Sequence, residues 1–155
     1  MIYTIETKTL QPQSMVSIRA RTIPNQISET LGHIFGEIQS YLIQQGIKPA
    51  GPPFALYHTY EEDCVDLEAG LPVSEPVTSI ESGRMVAREL PGGQVATTWH
   101  RGPYETLMQA HQAIEEWTKE HNRFSAGAPW EVYWTDPGEE PDSSQWKTEV
   151  FRPLK

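Results

Sequence analysis

Apolar and polar residues of the first half form short alternating segments on either side of a longer stretch with helical spacing. Residues 15–20 alternate as in a strand, and the apolar residues from Ile27 to Leu42 then recur every three or four positions. Residues 54–58 and the chain that leads to Val73 return to strand-like patterns. Because period two favours strands and a period near 3.6 favours helices, this half predicts the order strand, helix, strand, strand.

The second half of the chain repeats this order. Residues 94–99 predict a strand, and the apolar positions from Leu107 to Trp117 predict an amphipathic helix. Residues 130–134 and the chain that leads to Leu154 predict two further strands. The succession is the same in both halves although few residues are identical, so its order and spacing indicate an internal repeat.

Two such repeats predict an α+β fold in which tandem β-α-β-β units are related by a pseudo-two-fold axis. The repeats span about 1–80 and 84–155 of a single domain, 1–155, with a polar connector at 75–84. We expect an antiparallel sheet with the helices on one face, and a central ligand cleft on the other face where side chains of both repeats meet. Residues 91–93, Pro-Gly-Gly, predict a tight hairpin turn.

Composition and charge narrow the class of protein. The 155 residues are 37% apolar and 10% aromatic, as in a folded globular domain, and the net charge of −9 argues against a nucleic-acid footprint. No apolar run is long enough to cross a membrane and no signal peptide precedes the first strand, which predicts a cytoplasmic protein without a membrane partner. The five histidines have no recognised zinc spacing, so neither a metal nor a cofactor is predicted.

The most aromatic stretch of the chain contains one carboxylate. On a strand over 130–134, Glu131 and Tyr133 share one face, while the two tryptophans of the stretch lie on the other face. A carboxylate beside aromatic rings requires a cation, hydrogen-bond donors or a proton. Glu131 is therefore the leading candidate for a functional residue, and the alternative is an edge strand whose glutamate faces water.

Short motifs in a fixed order identify a family. They are Asp66-Leu67-Glu68-Ala69-Gly70-Leu71-Pro72-Val73, Leu90-Pro91-Gly92-Gly93, His100-Arg101-Gly102-Pro103-Tyr104, Trp130-Glu131-Val132-Tyr133 and Asp136-Pro137. The series resembles the GyrI-like small-molecule-binding family, which includes the effector domains of multidrug-sensing regulators such as BmrR and Rob. The length leaves no room for a DNA-binding domain, so the resemblance implies the stand-alone type of this effector-binding domain.

The resemblance also implies which residues bind the ligand. The family's binding glutamate corresponds to Glu131, followed by Tyr133 on the same strand, and its aromatic pocket positions correspond to Trp99, Tyr104 and Trp146. The internal repeat adds Tyr57 as the first-half partner of Tyr133, with Phe54 as a weaker candidate. If the strand around Trp99 has the opposite parity, Thr98 or His100 faces the cleft instead. A catalytic role for His100 is a further alternative.

Three functions are open at this point. The first is binding of planar, lipophilic, often cationic drug-like or toxin-like molecules, either to protect the cell or to sense an effector. The second is hydrolysis of cyclopropanoid genotoxins by a GyrI-like hydrolase, with Glu131 as general base and Tyr133 beside it. The third is sequestration of a DNA enzyme by the acidic loop 139–142. The expected partner is a small molecule, and the sequence leaves the oligomeric state open.

Overall fold

The chain forms two compact units, each of which contains strands and one helix. The computed structural model describes residues 3–77, 80 and 83–155. The N-terminal unit is Gln11–Gly92, and the C-terminal unit consists of Gly93–Lys155 together with the residues up to Leu10. In chain order, the elements are β1 Glu6–Leu10, β2 Gln13–Thr22, α1 Ile27–Gln44, β3 Phe54–Tyr60, β4 Val65–Pro72, β5 Met85–Leu90, β6 Gly93–Arg101, α2 Met108–Glu120, β7 Trp130–Tyr133 and β8 Lys147–Pro153.

The N-terminal unit is an antiparallel sheet in the order β3-β4-β2-β5, with α1 packed against β4 and β2. The helix buries the apolar stripe that its spacing predicts. Gly46 follows its C-terminal end with φ of 70°, the left-handed conformation that commonly terminates helices. Four apolar side chains of this stripe are buried, namely Leu31, Ile34, Ile38 and Leu42. These helix side chains form the core of the unit together with fully buried side chains of the strands, such as Ile18 and Leu67.

The C-terminal unit has the corresponding construction. Its antiparallel strands lie in the order β1-β6-β8-β7, and α2 packs against β6 and β8. A 3-10 turn at Tyr104–Thr106 leads into α2, and Gly102, with φ of 135°, allows the sharp change of direction after β6. Ala110 and Ile114 of α2 are buried in the core of the unit.

The predicted α+β class and the predicted order of strands and helices are confirmed. The hairpin predicted at residues 91–93 is wrong, because β5 pairs with β2 and β6 pairs with β1. The Pro-Gly-Gly segment separates β5 from β6, and the partners of both flanking strands come from distant parts of the chain. Residues 78, 79, 81 and 82 of the predicted connector, and residues 1 and 2 of the first predicted repeat, lie outside the described residues. Within the described ranges, no helix has the length and apolar character needed to cross a membrane.

Candidate functional site

The Glu131 carboxylate is buried and both of its oxygens accept hydrogen bonds. The residue lies on β7 and is 4% exposed. Its Oε2 accepts a hydrogen bond from Nε2 of His111 at 2.6 Å, and its Oε1 accepts one from the Tyr133 hydroxyl at 2.6 Å. The alternative in which Glu131 faces water is therefore wrong. These donors replace the water that a carboxylate loses when it is buried.

Strand register determines which side chains accompany Glu131. Glu131 pairs with Val150 of β8, which pairs in turn with Thr98 of β6. Directly paired residues of adjacent strands project from the same face of a sheet. His111 belongs to α2, so the carboxylate of Glu131 lies on the face of its sheet that carries the helix. The ligand cleft is predicted from the sequence on the face of the sheet without helices, whereas Glu131 lies on the face that carries the helix.

His111 is the functional candidate that the sequence reasoning missed. Its side chain is only 12% exposed, and its Nε2 lies 2.6 Å from Oε2 of Glu131. A signal for it exists in the chain, because His111 lies four residues after Leu107 and three before Ile114, both buried. A polar residue within an apolar helical stripe points into the core and needs a partner there. The absence of zinc-ligand spacing among the histidines gives no information on such a contact.

Two further predicted residues extend the site as a chain of aromatic rings. The ring centroid of Tyr104 lies 5.5 Å from that of Tyr133, at an interplanar angle of 63°, and 4.8 Å from that of Trp146. The indole Nε1 of Trp146 donates to the carbonyl of Glu140 at 2.7 Å, which fixes the ring. Burial raises the pKa of Tyr104 to about 12, and the charges of Glu131 and Asp136 act in the same direction. Tyr104 therefore presents a neutral phenol at physiological pH.

A buried hydroxyl beside this cluster lacks a hydrogen bond. Thr148 is fully buried, it pairs with Tyr133 on one side and His100 on the other, and its Oγ1 has no partner among the described residues. His100, by contrast, is engaged, because Nδ1 accepts from the Tyr3 hydroxyl at 2.8 Å and Nε2 donates to the carbonyl of Pro103 at 3.2 Å. Buried polar groups without partners are rare, so Thr148 offers capacity for a ligand atom or a water molecule.

The remaining predicted site residues, Trp99, Tyr57 and Phe54, lie on β6 and on β3. Trp99 pairs with Glu149 and so lies on the opposite face from Glu131, where it is 47% exposed and contacts Trp134. Thr98 and His100, the residues of the parity alternative, share the face of Glu131. Tyr57 and Phe54 belong to β3 of the N-terminal unit, and their odd spacing places them on opposite faces of that strand.

Each unit also holds a buried glutamate in the middle of its sheet. Glu68 on β4 accepts hydrogen bonds from Ser17 at 2.6 Å, from His58 at 2.9 Å and from Arg88. Burial alone would raise the pKa of Glu68, but these three donors outweigh it and lower the pKa below its usual value. In the C-terminal unit, Glu149 on β8 accepts from Thr97 at 3.1 Å and from Lys8 at 3.0 Å.

The described part of the chain contains no group of three or more His, Cys, Asp and Glu side chains arranged to hold a metal ion. The chemistry of the C-terminal unit is thus that of a buried, hydrogen-bonded carboxylate beside a chain of aromatic rings. Such a combination of mostly aromatic surface with a few placed polar groups is typical of small-molecule sites.

The fold and this combination define a small-molecule-binding domain. Residues 3–155 match the model of the GyrI-like small molecule binding domain, and the chain belongs to the GyrI-like family. No curated protein matches the chain in sequence.

Several solved structures have the same fold. The C-terminal domain of EcmrR has a TM-score of 0.89 at 23% identity, covering 100% of this chain and 99% of that one. In the EcmrR–DNA complex the TM-score is 0.86 at 22% identity, and the match covers 99% of this chain but only 57% of the EcmrR chain.

Two more distant structures carry functional descriptions. A hydrolase from Listeria innocua has a TM-score of 0.72 at 11% identity, covering 98% of this chain and 92% of that one. SAV2435 bound to tetraphenylphosphonium has a TM-score of 0.60 at 12% identity, with coverages of 100% and 94%. At these identities the structural similarity concerns the fold.

Proposed function

We propose that the protein binds lipophilic, aromatic, often cationic small molecules, with Glu131 as the charged anchor. The observation that carries this proposal is the buried carboxylate of Glu131, hydrogen-bonded to His111 and Tyr133 at 2.6 Å each. Tyr133, Tyr104 and Trp146 supply the stacking surfaces. Tyr57 remains a contact predicted from the internal repeat and Phe54 a weaker candidate, whereas Trp99 is left out because it lies on the other face of its sheet.

The energetics favour cations over neutral molecules of the same shape. A cation over the face of an aromatic ring gains about 0.5–2 kcal/mol, more when it is desolvated. A carboxylate in surroundings of lower dielectric attracts that cation more strongly than a carboxylate in water does. Aromatic walls with a single charge discriminate weakly by shape, so a broad range of planar ligands is expected.

Two relatives in fold support this choice of ligand and role. SAV2435 is described in complex with tetraphenylphosphonium, a lipophilic cation of the proposed class. EcmrR carries the same fold as its C-terminal domain and is described in a complex with DNA. We propose that the present chain uses this fold to sense such compounds or to sequester them and so protect the cell.

Titration with tetraphenylphosphonium tests the proposal. Saturable quenching of aromatic fluorescence is expected for the unmodified protein, and Glu131→Gln should weaken binding about tenfold, since it removes a charge from a partly desolvated site. Glu116→Gln, which changes an exposed glutamate of α2, is the matched control. Equal affinity of Glu131→Gln and the unmodified protein would show that the carboxylate has no part in binding.

A second candidate function is hydrolysis of a strained ring. The unpartnered hydroxyl of Thr148, next to Tyr133, offers a place for a water molecule close to the Glu131 carboxylate. Glu131 would take a proton from this water while the water oxygen bonds to a cyclopropane carbon. The electron pair of the broken C–C bond would move to a conjugated carbonyl, whose oxygen would then take up a proton. The fold relative from Listeria innocua that is described as a hydrolase favours keeping this possibility.

Mass spectrometry separates the two functions. The protein is incubated with a cyclopropanoid alkylator, and hydrolysis predicts a product heavier by one water that is absent with Glu131→Gln. If the compound binds and is recovered unchanged, the protein is a binder and not a hydrolase for that compound.

A further inference from the structure

Two large aromatic side chains are exposed on the face of the C-terminal unit opposite Glu131. Trp99 is 47% exposed and Trp134 is 52% exposed, and their ring centroids lie 5.9 Å apart at an interplanar angle of 44°. Exposed tryptophans are costly to leave in water, and two in contact form a continuous apolar surface. The burial of Glu131 and its partners does not involve these rings, because Trp99 projects from the other face of β6.

Strand register places two cations beside the tryptophans. Arg101 pairs with Lys147, and Trp99 pairs with Glu149, on adjacent rows of β6 and β8. The backbone of Trp134 donates to the carbonyl of Lys147 at 3.1 Å, which continues the pairing of β7 with β8 by one residue. Residues two apart on a strand share a face, so all four side chains project from the same side. We call Trp99, Trp134, Arg101 and Lys147 the tryptophan face.

Arg101 and Lys147 each bring a positive charge to the tryptophan face, in a protein whose net charge is −9. The buried Glu149 beneath it is already bonded to Lys8 and Thr97. Arg101 donates to the side-chain oxygen of Gln145 at 3.0 Å. Over the described ranges, 3–77, 80 and 83–155, neither Arg101 nor Lys147 forms an ion pair.

The N-terminal unit shows that the fold does not require this surface. Its buried Glu68 corresponds to Glu149, since each accepts from a hydroxyl of the neighbouring strand and from a cation of the outermost strand. Arg19 pairs with Glu68 as Trp99 pairs with Glu149, so Arg19 corresponds to Trp99. Asp66 lies two residues before Glu68 as Lys147 lies two residues before Glu149, so Asp66 corresponds to Lys147.

At these corresponding positions the N-terminal unit neutralises itself. Arg19 donates two hydrogen bonds to the Asp66 carboxylate, at 2.9 and 2.8 Å, in a bidentate pair. In the C-terminal unit, an indole ring and an unpaired ammonium group occupy the same two places. The same fold is therefore built with a bidentate ion pair in one unit and with an indole ring and a lysine at the corresponding positions in the other.

We propose that the tryptophan face is a second binding site, selective for planar aromatic anions. The indoles of Trp99 and Trp134 supply stacking area, which accepts any planar ring, and Arg101 and Lys147 supply the charge that selects anions over cations. This preference is opposite to that of the Glu131 site, where a carboxylate selects cations. The two sites lie on opposite faces of one sheet, so they should bind independently.

A pair of probes with one ring system and opposite charges tests this site. Binding of 1-naphthalenesulfonate and of 1-naphthylmethylammonium is measured by titration calorimetry, with tetraphenylphosphonium present to compete for the Glu131 site. We expect the sulfonate to bind, and Trp99→Ala or Trp134→Ala to weaken it about tenfold. Combined Arg101→Gln and Lys147→Gln should weaken the sulfonate and leave the ammonium unchanged or tighter.

Three control variants distinguish the tryptophan face from the Glu131 site and from other exposed aromatic residues. Phe124→Ala removes another exposed aromatic side chain of the same unit, 69% exposed, and should not change sulfonate binding. Glu131→Gln should also leave it unchanged, and Trp134→Tyr, which retains a ring, should restore most of the affinity lost in Trp134→Ala. Unaltered sulfonate affinity in both tryptophan variants would overturn the proposal. Competition by tetraphenylphosphonium together with loss in Glu131→Gln would overturn it as well, because the sulfonate would then occupy the other site.

Discussion

At the scale of single residues, the carboxylate of Glu131 is held by two donors of different kinds. Tyr133 is a neighbour on the same strand, and its position follows from the alternation of side chains along β7. His111 comes from α2, and its Nε2 reaches the carboxylate across the interface between the helix and the sheet. Any cation that binds Glu131 must therefore share the carboxylate with His111 or displace it.

Removal of the His111 donor should destabilise the protein. His111→Leu leaves Oε2 of a buried carboxylate without this hydrogen bond, and loss of a bond to a charged group costs about 1–3 kcal/mol. The free energy of unfolding in urea measures the effect. His111→Gln, whose amide can donate, should retain part of the stability, and His33→Leu at an exposed histidine serves as control. A loss no larger than that of His33→Leu would contradict this account.

Glu68 predicts a pH dependence of stability with a definite sign. Its pKa is lower in the folded state than in the unfolded chain, so the folded state gains stability above the unfolded pKa of about 4.3. This gain is lost as the pH falls from that value through the lowered folded pKa. The difference in unfolding free energy between the unmodified protein and Glu68→Gln should thus be largest near neutrality and shrink below about pH 4. Glu62→Gln, at an exposed position, should show no such dependence.

At the scale of elements, the close approach of β4 and β2 depends on a glycine. A Cβ added to Gly70 would lie 2.1 Å from the carbonyl oxygen of Val16 and 2.8 Å from Cα of Ser17, both backbone atoms. The two strands would have to separate, and such overpacking costs about 1–3 kcal/mol or more. Gly36 in α1 has no atom within 4 Å of its added Cβ.

The two glycines form a matched experiment. Gly70→Ala should lower the free energy of unfolding by the amount above, whereas Gly36→Ala should raise it by about 0.5–1 kcal/mol, because alanine is the better helix former. Chemical denaturation of both variants measures the difference. Equal effects of the two substitutions would show that the close approach of β4 to β2 does not require a glycine at position 70.

Local pattern was sufficient for the elements and insufficient for their pairing. Helix α1 and strand β3 follow from periodicity, which depends only on neighbours in the sequence. The hairpin predicted at residues 91–93 was wrong because turn residues alone do not specify the partner of each strand, and β5 and β6 pair with β2 and β1. The face of Trp99 was likewise open, since one residue of register moves every side chain of a strand to the other face.

At the scale of the whole molecule, ligand binding should appear as added stability. A ligand that binds only the folded state at 100 times its dissociation constant adds about 2.7 kcal/mol to the free energy of unfolding. We expect tetraphenylphosphonium to raise the midpoint of thermal unfolding, and to do so much less in Glu131→Gln. Tetramethylammonium, which has the charge but no aromatic surface, is the control. An equal rise with this ion would mean that a general charge effect, rather than the proposed site, is responsible.

The family could be predicted from the sequence, whereas the composition of the cluster could be predicted only in part. The order of motifs is a property of the whole chain and led to the GyrI-like family, which the match over residues 3–155 confirms. Tyr104 and Trp146 were expected near Glu131 and are linked to it through Tyr133. His111 was missed although its spacing from Leu107 and Ile114 places it in the buried stripe of α2. Thr148 was missed because the lack of a partner for its hydroxyl among the described residues appears only once the strands are paired.

Strand β1 lies at the start of the chain but pairs with β6, between Glu6–Leu10 and Gly93–Thr97. When the ribosome makes this protein, β1 leaves the exit tunnel long before its partner exists. Throughout that time its backbone donors and acceptors stay open to water or to chaperones. The C-terminal unit can therefore close only after most of the chain has been synthesised, and a fragment that begins at β6 would lack one strand of its own sheet.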